Sequence, residues 1–169
     1  MDTGIERRLT DAKRRFFLPW LGTVFAVLAL AGLGYALAGG TAGSDARLPT
    51  LPKAMTAAGL VWCGLVLFTR QQILEPMGIA ARLPAADAAA VVRHLLVGYL
   101  VLWSAAVAPA IIGIAQILAG GDARMHLLLC AAALLVLAYL IPVQSKLATQ
   151  ASVAMAILEK ALGGKKGVS

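Results

Sequence analysis

Charge is what this sequence has least of. Only 14% of its 169 residues are Asp, Glu, Lys or Arg, against 60% that are hydrophobic, and the mean hydropathy is +0.84. A soluble globular chain carries about 25% charged residues, so this composition excludes that class and points to an integral membrane protein. Charge is also missing where it would carry chemistry, because no Asp, Glu, Lys, Arg or His stands in the middle of an apolar run. Proton relays, ion-coupled carriers and voltage sensors depend on such residues, and ion-coupled transport therefore loses its usual carrier.

Cysteine and histidine are equally sparse. Cys63 and Cys130 both lie inside apolar runs, where a free thiol behaves as a small apolar group, and no disulfide is expected. His94 and His126 stand at the entries of the third and fourth runs. Those entries face opposite sides of a bilayer, so the two rings cannot share a haem within one chain, and both are expected at the interfaces. The sequence has no Cys/His spacing suited to a metal, no glycine-rich phosphate loop after a strand and no nucleophile–base arrangement. The expectation is no metal, no cofactor, no catalytic residue and no enzyme activity.

What the sequence does have is long apolar runs. A spanning helix needs roughly 20 mostly apolar residues to cross about 30 Å of hydrocarbon. Residues 16–38, 51–68, 95–118 and 126–141 meet or approach that length. The second and fourth are short, so their polar tips at Arg70 and Lys146 are expected to continue as helix and snorkel toward the headgroups. Of 15 Lys and Arg residues, five precede the first run, three (Arg70, Arg82, Arg93) lie between the second and third, and four follow the fourth; only Arg47, Lys53 and Arg124 fall in the other connections. The positive-inside rule then places both termini and the middle loop in the cytoplasm, so the net charge of +7 serves orientation and not nucleic-acid binding. Phe16 and Tyr99 fall near the cytoplasmic interface on this reading, while Trp62 and Trp103 lie deeper than an aromatic belt requires, which points to packed interior positions. Arg14-Arg15-Phe16-Phe17-Leu18 resembles a twin-arginine export signal with a cleavage site at Ala36-Leu37-Ala38. The first run, however, exceeds the 7 to 15 residues usual for a signal core, which favours retention as a span.

The chain also repeats itself. "LAGGTAGSDAR" at 37–47 returns as "LAGGDAR" at 118–124, and an alignment of Phe17 with Gly98 carries Gly32 onto Gly113 and Thr23 onto Ser104. A helical hairpin used twice explains this: out, reversal at a glycine pair, and back. Paired glycines suit a helix C-terminus because the residue after the last turn commonly adopts left-handed dihedrals. The tandem hairpin resembles, in architecture alone, the duplicated proteolipid subunits of rotary ATPases. Those carry a membrane carboxylate and place their termini outside the cytoplasm, and this chain departs from them on both counts.

The fold expected is therefore an all-α integral membrane protein of four transmembrane helices, in two tandem hairpins of the same orientation, with an amphipathic C-terminal helical extension. Its parts are a basic cytoplasmic N-terminus (1–15), a first hairpin (16–75), a cytoplasmic loop and start of the third helix (76–94), a second hairpin (95–142), and an amphipathic helix with a basic tail (143–169). Close packing in lipid relies on small residues. Gly32, Ala36 and Gly40 on the first span and Ala105, Pro109 and Gly113 on the third are the expected packing faces, which makes those two spans the inner pair. Pro109 frees the carbonyl of Ala105 and is expected to kink its helix. After Pro142, apolar residues at Val143, Leu147, Ala151, Ala154, Leu158, Ala161 and Leu162 recur at helical spacing up to Gly163-Gly164, a stripe suited to a partner helix. A second surface arm is expected from Pro84.

The function these features favour is non-catalytic: a small membrane protein that acts by helix packing, as a homo-oligomer or as an accessory subunit of a larger membrane complex, with membrane lipids as its other partners. The alternative is a passive channel or carrier for a small neutral or lipidic solute, lined by Thr23, Ser104 and Gln116. Abundant alanine and the absence of a eukaryotic targeting pattern suggest a bacterial cytoplasmic membrane.

Overall fold

The structure is a computed structural model that describes residues 3–40, 50–83 and 87–165. It is all-helical, with no strand among the described residues. The elements are α1 (Thr3–Gly40), α2 (Thr50–Leu74), α3 (Pro76–Arg82), α4 (Ala88–Leu118), α5 (Ala123–Tyr139) and α6 (Gln144–Lys165). The spans Arg14–Gly39, Thr50–Leu74 and Ala88–Leu118 are long and apolar enough to cross a membrane, while α5 is a shorter apolar helix of 17 residues, about 26 Å at 1.5 Å per residue.

Local chemistry explains where these helices begin and end. Each residue before a proline is pushed toward extended dihedrals. Glu75 accordingly sits at φ −70°, ψ 134° and Leu83 at φ −100°, ψ 129°, which isolates the seven-residue α3 with Pro76 at its start. A helix here differs from the loop expected over this segment, and the start of the second arm expected from Pro84 falls on residues 84–86, outside the described residues. Asp87 opens α4 by accepting the Ala89 N–H at Oδ1 over 3.0 Å. Asp122 does the same for α5 through the Arg124 N–H, also at 3.0 Å. These aspartates satisfy donors that a helix start otherwise leaves without partners.

The α4–α5 reversal is the expected glycine corner. The Gly121 N–H bonds Gln116 O and the Gly120 N–H bonds Ile117 O, each over 2.9 Å, and Gly120 has φ 85°. This is the two-bond Schellman closure of a helix end. Gly120→Ala places a β-carbon on left-handed backbone and should cost about 1 kcal/mol, measurable by equilibrium unfolding in mixed micelles. The matching corner after Gly39-Gly40 falls on residues 41–49, outside the described residues.

The fourth run departs from expectation at its far end. Its helix stops at Tyr139 instead of continuing to Lys146, because Pro142 follows and Leu140 leaves helical geometry at φ −89°, ψ 16°. A separate helix, α6, then begins at Gln144 and runs through Gly163-Gly164 to Lys165.

The chain divides into two compact units. The first gathers Met1–Pro19, Thr69–Val101 and Pro142–Ser169; the second gathers Trp20–Phe68 and Leu102–Ile141. In the first unit α3 lies against α6, and Leu147, Ala151, Ala154, Met155 and Leu158 of α6 are buried. The amphipathic stripe is thus covered by its own chain, which corrects the expected partner-helix role; Val143 and Ala161 stay exposed, and Leu162 lies outside the residues whose side chains are described. Phe16 and Tyr99, expected at the interface, are buried here as an edge-to-face pair with ring centroids 6.1 Å apart.

Candidate functional site

The second unit is organised around backbone carbonyls that helices leave without a donor. In hydrocarbon such a group costs several kcal/mol. Pro109 has no N–H for the Ala105 carbonyl four residues back, and the indole Nε1 of Trp62, on α2, donates to that oxygen at 2.8 Å. The last carbonyls of α5 pose the same problem. Trp20 Nε1 donates to Leu137 O at 2.9 Å and Trp103 Nε1 to Leu140 O at 3.1 Å. All three tryptophans of the chain therefore supply interhelical hydrogen bonds. Trp103 is buried as expected, whereas Trp62 is 42% exposed while its indole N–H reaches Ala105 O, which corrects the purely interior reading.

His126 is the second feature. The sequence places it at an interface, yet it is fully buried. Its Nε2 lies 3.2 Å from the Leu30 carbonyl of α1, and since a carbonyl only accepts, Nε2 carries a proton. Cys130, one turn on, sets its Sγ 3.6 Å from Nε2. A β-carbon at Gly34 or at Gly113 would collide with ring atoms of His126, so α1 and α4 each present a glycine to the imidazole. The signal was the pair of glycines, but they lie far from His126 in sequence.

The expected packing residues separate under this geometry. Gly113 and Pro109 are buried and Ala105 is half-buried. Gly32 has open space where a β-carbon would sit, and Ala36 is exposed; for Gly40 only the helical backbone is described. Within the chain, α1 packs through Gly34 and Val27 instead. Gly32 and Gly113, equivalent in the repeat, thus occupy different surroundings. The inner pair is corrected too: in an 18-residue apolar window of each span, 11% of the residues are buried in α1, against 17% in α2 and 44% in α4, while α5 buries His126, Leu129, Cys130, Ala133, Val136 and Leu137. The burial therefore falls on α4 and α5.

The polar residues considered for a lining differ in burial. Ser104 is exposed, Thr23 half-buried and Gln116 fully buried. Ser104 and Gln116 also stand about 18 Å apart along the axis of α4. Gln116 Nε2 reaches Asp122 O at 3.4 Å beneath the glycine corner, which makes it part of the α4–α5 turn.

These features define a helical membrane protein. Compared with protein-family models, with curated proteins and with solved structures, the chain finds no match.

Proposed function

We propose that the protein is a non-catalytic membrane component that works by helix packing, as a homo-oligomer or as an accessory subunit of a larger membrane complex. The observation that carries this reading is the outward face of α1. Gly22, Ala26, Ala29, Leu33 and Ala36 succeed one another at three- and four-residue spacing, all exposed, with Gly32 beside them. Small residues turned toward lipid let another helix approach closely, and that approach drives association where no hydrophobic force operates. The distribution of Lys and Arg favours cytoplasmic termini and the abundant alanine a bacterial inner membrane, with α5 crossing through local bilayer thinning.

Native mass spectrometry from mild detergent tests the proposal. The expected species is a multiple of 17.5 kDa or that mass with a co-purifying subunit; a lone monomer overturns the reading. Gly32→Leu combined with Ala36→Leu should dissociate the assembly while changing the stability of the isolated chain by less than about 0.5 kcal/mol, as expected of exposed positions.

A further inference from the structure

A group of polar side chains collects in the first unit, where the end of α2 meets the start of α6. An open cavity of about 290 Å³ is lined by Arg70, Ser145, Lys146, Thr149 and Gln150. Gln150 Nε2 donates to Leu74 O at 3.1 Å and so fixes α6 on the last turn of α2. The depth of the cavity follows from the sequence on either side. The apolar run of α2 ends at Phe68 and that of α5 at Ile141, so the lining residues follow both borders directly and stand at headgroup level.

The lining has the chemistry of a phosphate site. Arg70 and Lys146 bring two positive charges, a guanidinium fork and an ammonium, both matched to phosphate oxygens. Ser145 adds a hydroxyl, while the Thr149 hydroxyl already donates to Ser145 O at 2.9 Å. Glu75 lines a smaller adjoining cavity of about 150 Å³ with Arg70 and Gln150, and no acidic residue among the described residues lines the larger one. A second observation narrows the ligand. Gln150 Oε1 is buried with no hydrogen-bond partner among the described residues, and its orientation is fixed because Leu74 O accepts from Nε2. A buried acceptor calls for a donor, which a phosphate diester lacks and a headgroup hydroxyl provides. The volume lies at the low end of the roughly 300–1,000 Å³ of small-molecule sites, suited to a headgroup whose acyl chains stay in the bilayer.

We propose that this cavity binds the phosphodiester of an anionic phospholipid whose headgroup carries a hydroxyl, with Arg70, Lys146 and Ser145 on the phosphate and Gln150 Oε1 accepting from the hydroxyl. The reading is independent of oligomer formation. If both hold, each protomer carries its own lipid.

The test is a lipid titration of the full-length protein in dodecylmaltoside, read by native mass spectrometry as bound-lipid adducts. Phosphatidylglycerol should be retained in preference to phosphatidylcholine, and in preference to phosphatidylmethanol, which has the same charge and no hydroxyl. Lys146→Gln should weaken phosphatidylglycerol retention about fivefold, and Ser145→Ala in the same direction; both residues are exposed, so neither change threatens the fold. Arg82→Gln and Arg93→Gln, exposed bases outside the cavity, should leave retention unchanged. Equal loss in these controls overturns the site in favour of diffuse surface attraction. Unchanged retention in Lys146→Gln overturns it directly, equal retention of phosphatidylmethanol overturns the hydroxyl assignment, and inorganic phosphate displacing the lipid at equal concentration overturns the lipid as ligand in favour of the free anion.

Discussion

Gly113→Ala and Gly34→Ala should each destabilise the protein by about 1–3 kcal/mol, the ordinary cost of forcing a methyl into a filled interior. The loss should largely disappear when His126 is shortened to alanine in the same chain. The imidazole of His126 meets a glycine of α1 and a glycine of α4 and is held by its contact with Leu30 O at 3.2 Å. A methyl at either glycine must turn the ring and break that contact. Equilibrium unfolding in mixed micelles gives the four values of each double-mutant cycle. Losses that are the same with and without the imidazole would show that the ring is not what the glycines accommodate. Gly32→Ala, one residue type and two positions away from Gly34, should be close to neutral because a β-carbon there meets open space.

Trp62→Phe should cost about 1–3 kcal/mol in the native background, the penalty for an acceptor left without its donor away from water. In a Pro109→Ala background the same change should cost far less. Alanine at 109 restores the N–H that proline lacks, so Ala105 O regains its helical partner and no longer depends on the indole. Loss of indole size enters both backgrounds alike, and the difference isolates the hydrogen bond, which spans 2.8 Å in the structure. Identical losses in the two backgrounds would refute the substitution of an indole donor for the missing amide.

How much of this was legible depended on how local the cause was. The corner at Gly120-Gly121 and the carbonyl that Pro109 frees both follow from residues within one turn of each other, and the sequence displays them directly. The ranking of helices by burial does not follow in that way. In lipid both faces of a span are apolar, so hydropathy carries no periodic record of which face is covered. Small residues then mislead: Gly32 and Ala36 form the more regular pattern, yet Gly34 is the one that meets a neighbour within the chain. His126 looked interfacial because it begins an apolar run, and its two glycines lie 92 (126 − 34) and 13 (126 − 113) positions away. The amphipathic stripe of α6 was readable, but its cover, α3, is a single short element set apart by two prolines, which composition alone presents as loop. The cavity at Arg70 and Lys146 joins residues whose polar tips were seen separately as anchors and never as one lining.

The bond from Trp62 to Ala105 also has an order in time. Synthesis proceeds from the N-terminus, so the indole of α2 leaves the ribosome 43 residues ahead of the oxygen it serves. When the proline-bearing span enters the bilayer, its donor is already waiting there. A chain whose second span is delayed or deleted would present α4 to lipid with an open carbonyl.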